Sequence, residues 1–179
     1  MLKELIISLH LATSPYLPVD TLDLNAGQRE DFFAMETMCL AQNVYHEARN
    51  QGTAGQLAVV SVTLNRVADE RFPDTICGVV YEGPARPSWK GTGEMIPVRN
   101  QCQFSWYCDG KSDEPKDLIT FQKIYDLMYE IVYGSITVYD ITDGATHYHA
   151  DYVRPAWAAT KTKTIEIEDH IFYRWETAR

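Results

Sequence analysis

The hydrophobic period changes once along this chain, and that change limits what it can fold into. Up to about residue 132 the apolar positions recur at helical spacing; beyond it, "THYHADYV" and "TKTIEIEDHIFYRW" alternate or carry β-branched and aromatic residues, as strands do. A chain that is helical first and β-containing last belongs to the α+β class, here mainly helical with a small antiparallel β region near the C-terminus. Residues 29–50 read as one helix, stopped by Gly52, and "TAGQ" at 53–56 reads as a Thr-x-x-Gln capping box that opens a second helix running to about Val67. Thr75 to Tyr81 suits a short helix. Residues 83–111, with the run "QCQFSWYCDG", form a long structured loop of the kind that often carries function. Ser112 with Asp113, Glu114 and Pro115 predicts a further helix start, and Leu118, Phe121, Ile124, Tyr125 and Met128 continue it until Gly134.

No repeat, low-complexity segment or linker interrupts the chain, and 179 residues with 45% hydrophobic content suffice for one core. Residues 1–28 are read as an N-terminal extension and 29–179 as the domain proper. With 25 acidic against 16 basic residues and a net charge of -9, a nucleic-acid backbone is excluded as a natural partner. No apolar run approaches the ~20 residues that span a bilayer. The opening "MLKELIISLHLATSPYL" has one Lys and a His-interrupted apolar run, a poor signal peptide. Of four cysteines, Cys39 sits in an apolar helical run and reads as a core thiol, while Cys102 and Cys108 bracket "QFSWY" and would cinch it; the full pairing, including that of Cys77, stays open.

The stretch "LAQNVYHEARNQG" at 40–52 sets an ionisable run directly after an apolar one. At about 100° per residue, Phe33, Leu40 and Val44 share one stripe, and Glu47 falls roughly 40° from its centre. His46 and Arg49 project away from it. A carboxyl leaning toward the core is desolvated, which raises its pKa and suits it to donate a proton. The competing reading is that the last helical turn protrudes into water and Glu47 is an ordinary surface residue.

Other chemistries are less well served. "HEARN" has Asn50 where a zincin helix needs its second histidine, no C-x-x-C pair occurs, and neither Ser105 nor any cysteine stands in a nucleophile motif. His147 and His149, two apart on a predicted strand, face one side and would share a ligand or a zinc ion, unless they merely line a site or pack. No metal-ligand set or cofactor is assigned. Phe104, Trp106, Tyr107, Tyr148, Tyr152 and Trp157 cluster near the loop and the strands, where rings stack on sugars or simply pack.

Four stretches taken in order, "LAQNVYHEARNQGTAGQLAVVSVTLNRV", "RFPDTICGVVYEG", "QCQFSWYCDG" and "GATHYHADYVRPAWA" with "DHIFYRW", closely resemble the SleB-like cell wall hydrolase family, which includes spore-cortex-lytic enzymes. The resemblance spans residues 38–175. It implies a lysozyme-like, lytic-transglycosylase-type domain acting on peptidoglycan glycan strands, with the catalytic glutamate in a Tyr-x-Glu-[Ala/Ser]-Arg motif: here Tyr45, Glu47, Ala48 and Arg49. His46 stands where many members carry Gly. On this basis Glu47 is expected to cleave the bond between N-acetylmuramic acid and N-acetylglucosamine and then to act as base, closing an anhydro ring. Gln103, Ser105 and His149 are expected to hydrogen-bond the sugars, with Trp106, Tyr148 and Trp157 as aromatic contacts. A hydrolytic muramidase would need a second acid across the groove, from Glu36, Asp69, Glu70 or Asp109. The alternatives are an amidase or peptidase with zinc at His147 and His149, and a non-catalytic wall-binding module. A monomer is expected, acting at the bacterial cell wall, and the weak leader leans toward a phage-type enzyme held in the cytoplasm until lysis.

Overall fold

A computed structural model of the chain describes residues 23–176. Helix α1 (Ala26–Ala48) begins three residues earlier than expected, because Asn25 and Gln28 form a reciprocal capping box, each side chain bonding the other's backbone N–H at 3.0 Å. Its apolar stripe of Phe33, Leu40 and Val44 is fully buried. Around it are wrapped α2 (Thr53–Val67), the short α3 (Ile76–Val80) and α4 (Leu118–Val132), whose Val59, Val60, Val79, Val80, Ile124, Met128 and Ile131 complete one apolar core.

Polar groups fix the helix ends within this core. The buried Glu36 carboxylate accepts from Ile76 N–H at 2.6 Å and Cys77 N–H at 3.2 Å, meeting orphan donors of α3. A disulfide from Cys39 to Cys77 clamps the same two helices, so Cys39 is not the plain core thiol its apolar neighbours suggest. The Tyr45 hydroxyl accepts from the backbone N–H of Lys116 and Asp117 at 3.1 and 3.0 Å. Those bonds hold residues 112–116 outside the helix. Helix α4 therefore starts after its N-cap Asp117 rather than at Ser112, with the Asp117 carboxylate accepting from Thr120 N–H at 3.1 Å.

The segment between α3 and α4 contains a small antiparallel hairpin, β1 (Ala85–Pro87) with β2 (Met95–Pro97), and a 3-10 turn at Ser105–Cys108. Cys102 and Cys108 are disulfide-bonded, cinching that turn as their bracketing position suggests. After α4, strands β3 (His147–Ala150), β4 (Thr162–Ile167) and β5 (His170–Arg174) form an antiparallel sheet in the order β3-β5-β4, with Tyr148 opposite Phe172. Phe172 drives the sheet against Ala58 and Val62 of α2. The whole is a mainly helical α+β fold.

The expected Thr-x-x-Gln capping box at 53–56 does not form. Gly52 is the N-cap and has no side chain; Glu168, from the β4–β5 turn, accepts from Gly52 N–H at 2.8 Å and Gly55 N–H at 3.1 Å. A Cβ at position 52 would stand 2.9 Å from the Glu168 carboxylate, so a larger residue there requires that side chain to shift from its capping position. The result ties the start of α2, just beyond Glu47, to the sheet.

Candidate active site

Glu47 lies in the last turn of α1, on the wall of a cleft of about 530 Å³ bounded by α1, the 3-10 turn and the sheet. The carboxyl is not a surface group. Tyr148, from β3, donates its phenol O–H to Glu47 Oε2 at 2.9 Å. Burial raises the Glu47 pKa, opposed by the Tyr148 hydrogen bond and then by the nearby Arg66 charge. Burial also pushes the Tyr148 phenol well above its ordinary range, helped by the adjacent carboxylate, so Tyr148 stays a donor. With Oε2 occupied, Oε1 is the oxygen free to carry a proton toward a ligand in the cleft.

Arg66 was not singled out by the sequence reading. It sits near the end of α2, buried, with Nε donating to the Thr146 carbonyl at 2.7 Å and its guanidinium stacked over Phe104 at 4.8 Å. It lines the same cleft, and its field acts on Tyr148, Glu82 and Glu47. A signal was present. Arg66 follows Val59 by seven residues, two turns along the face that carries the core.

Of the expected ligand-contacting residues, Gln103, Ser105, Trp106, Tyr148 and His149 all line the cleft with Glu47. Trp157 does not; it packs against His147, His149 and Tyr173 at ring distances of 5.4 to 5.7 Å. Gln103 and Ser105 are exposed at the rim. Trp106 is largely buried, its Nε1–H donating to Asn43 Oδ1 at 3.0 Å. One face of its ring is covered by His46, stacked at 4.4 Å, so His46, although it projects away from Glu47 on the helix, lines the cleft. Tyr148 is likewise not a bare stacking wall, since its hydroxyl serves Glu47 and its ring lies against His170 and Phe172. Tyr152 is an aromatic residue that remains 84% exposed at the cleft rim, its ring open to a ligand.

Both ring nitrogens of His149, and one of His147, are already hydrogen-bonded. His149 Nδ1 faces the Ala150 carbonyl at 2.8 Å and must donate to it, leaving Nε2 to accept from the Tyr173 hydroxyl at 3.0 Å. His147 Nδ1 meets Thr146 Oγ1 at 3.0 Å, and burial together with Arg66, Lys161 and Arg71 pushes its pKa down to about 3. Among the described residues no group of three or more His, Cys, Asp and Glu is placed to hold a metal ion. The donor chemistry does not fit the zinc alternative.

The candidate second acids are dispersed. Glu36 caps α3, and Asp69 forms an ion pair with Arg71. Neither lines the cleft, nor does Glu70; Asp109 does, held below the ordinary carboxylate range by the Lys111 backbone N–H and then by its ammonium. Asp169, not considered from the sequence, is also a lining residue.

The sequence profile of the cell wall hydrolases matches residues 50–173. The chain belongs to the cell wall hydrolase family. Glu47 lies just before the matched span, on the helix that leads into it. Relatives of this cell wall hydrolase include the spore cortex-lytic enzyme of Bacillus subtilis (strain 168), 46% identical over 134 residues that cover 74% of this chain and 35% of the relative. The spore cortex-lytic enzyme of Oceanobacillus iheyensis is 30% identical over 135 residues, 74% of this chain and 39% of the relative. The chain thus spans about two-fifths of the length of such relatives. Its fold is similar to the crystal structure of the catalytic domain of the Bacillus cereus SleB protein, with a TM-score of 0.50 and 26% identity over 78% of this chain and 91% of that domain. It has the same TM-score to the catalytic domain of the germination-specific lytic transglycosylase SleB from Bacillus anthracis, at 24% identity, covering 88% of this chain and all of that one.

Proposed function

We propose that this cell wall hydrolase is a peptidoglycan glycosidase that cuts between N-acetylmuramic acid and N-acetylglucosamine, with Glu47 as the proton donor. The observation that carries the reading is the Tyr148 phenol held on Glu47 Oε2 at 2.9 Å, in a cleft where burial keeps the carboxyl protonated to higher pH than usual. Protonated Oε1 gives its proton to the glycosidic oxygen, and the bond from that oxygen to the muramyl anomeric carbon breaks. The sugar carries oxocarbenium character as it does so. The resulting Glu47 carboxylate is stabilised by the Tyr148 hydrogen bond and the Arg66 charge. It then removes the proton of the muramyl C6 hydroxyl, whose oxygen closes on the anomeric carbon as an anhydro ring, returning Glu47 to its acid form. Gln103, Ser105 and Tyr152 are proposed to hold the sugars at the rim.

This route uses one carboxylate, in keeping with a site in which Glu47 is the acid that burial protonates. A hydrolytic muramidase is the second reading, favoured by Asp109, an ionised lining acid that would activate a water. Mass spectrometry of fragments released from purified peptidoglycan separates them. Anhydro-muramyl ends, lighter by one water, support the transglycosylase; reducing ends support the muramidase; intact glycan with freed peptides overturns both. Since one chain supplies all these residues, the proposed working unit is a monomer acting at the bacterial cell wall. No described helix is long and apolar enough to cross a membrane. The weak leader behind the phage-type expectation lies outside the described residues.

A further inference from the structure

A second cavity, of about 420 Å³, opens beside the cleft, and the two share His46, Trp106 and Asp109 as lining residues. Its remaining walls come from the end of α1 and from residues 111–117, the segment that Tyr45 holds out of helix α4. The residues around it are strongly charged and of both signs. Arg49 and Lys116 are exposed, and among the described residues neither forms an ion pair with a carboxylate; Arg49 instead leans over the Tyr45 ring. The same lining holds Asp113, Glu114 and Asp117, also without a cationic side-chain partner within ion-pair distance, and the Lys111–Asp109 ion pair at 3.0 Å.

We propose that this cavity is a subsite for the peptide attached to the sugar that occupies the cleft, a short peptide carrying both free carboxylates and a free amine. The inference rests on the glycosidase reading and deepens it. A strand seated beside Glu47 must send the substituents of its sugars out of the cleft, and the adjoining cavity, which shares His46, Trp106 and Asp109 with it, is placed to receive one. In a protein of net charge -9, an anionic substituent is repelled over most of the surface. Within the cavity Arg49 and Lys116, without carboxylate partners, supply local attraction for carboxylates, and Asp113, Glu114 and Asp117 supply the complement for an amine.

The test compares kcat/KM on peptidoglycan strands with intact peptides and on the same strands stripped of peptide by an amidase. The wild-type protein is expected to prefer the peptide-bearing strands, and the double variant Arg49→Gln/Lys116→Gln to lose about tenfold of that preference, the scale of lost charge-assisted hydrogen bonds. Arg49→Lys with Lys116 intact is expected to recover most of it. Because these charges are exposed, raising the salt to about 0.5 M should shrink the wild-type preference as well, a readout that needs no variant. Equal losses on both substrates, or a preference indifferent to both the substitutions and salt, would overturn the subsite. Cleavage of stripped strands by the wild type reads the glycosidase assignment separately: if no glycosidic bond is cut there or on intact strands, that assignment fails, whatever the cavity binds.

Discussion

Tyr148 donates its phenol proton to Glu47 Oε2 at 2.9 Å, joining a strand to a helix across 101 positions of sequence. The contact leaves the carboxyl one defined outlet toward the cleft. It also opposes the effect of burial, because a donor to the charged form favours that form.

Replacing Glu47 with Gln keeps the shape of the side chain and its capacity to accept from Tyr148, but removes the transferable proton. We expect activity on purified peptidoglycan to fall at least ~100-fold, with the circular dichroism and melting temperature of the wild type. Near-normal turnover by a folded E47Q protein would rule Glu47 out as the acid.

Tyr148→Phe removes the donor and little volume. Since the hydrogen bond lowers the Glu47 pKa, its loss raises it, and activity that depends on protonated Glu47 should persist to higher pH. The alkaline limb of the pH–rate profile is therefore expected to move upward while the plateau falls about tenfold from lost orientation. A limb that stays in place or moves down contradicts the arrangement.

His147 provides a stability test. Its pKa is pushed down from 6.5 to about 3, first by burial and then by the charges of Arg66, Lys161 and Arg71. The fold holds the neutral ring, so this contribution is present above pH 6.5 and is lost as pH falls toward 3. Thermal melts across that window should decline less steeply for His147→Gln than for the wild type. Parallel curves would remove His147 from the account of acid sensitivity.

The two disulfides should separate stability from activity. Cys39 and Cys77 are 38 residues apart and Cys102 and Cys108 only 6, so chain entropy assigns about 4 and about 2 kcal/mol to the respective cross-links. In urea unfolding, Cys39→Ser/Cys77→Ser should be the more destabilised pair, whereas Cys102→Ser/Cys108→Ser should lose more activity per unit of stability because its loop carries Gln103 and Ser105 to the cleft rim. Titration of the unreduced, denatured wild type should find no free thiol. Four would refute both bridges.

What the sequence discloses and what it hides divide by distance along the chain. Helices α1 and α2 were legible because their apolar periods are local, and Glu47 could be aimed toward the core by counting from Phe33. The partner of Glu47 could not, because the bond to Tyr148 spans the fold. Thr53 and Gln56 satisfy the pattern of a capping box, yet Glu168 performs the capping, and no local rule reports a carboxylate arriving from another hairpin. Cys39 looks like a core thiol for the same reason. Ser112 resembles a helix start until the Tyr45 hydroxyl takes the backbone N–H groups of Lys116 and Asp117. Trp157 shares the aromatic density of the C-terminal region, but its ring is absorbed by His147, His149 and Tyr173. Arg66 drew no reading from the sequence, although it lies two turns from Val59 on the buried face of α2.

Glu168 reaches the start of α2 from 116 positions downstream. A chain made from its N-terminus at roughly 5–20 residues per second therefore completes α1, Glu47 included, several seconds before the strand that supplies Tyr148 and the turn that supplies the cap have been synthesised. The nascent protein holds Glu47 without the phenol that bonds it in the folded structure. The order of translation therefore withholds the Glu47–Tyr148 bond and the Glu168 cap until the β4–β5 hairpin has left the ribosome.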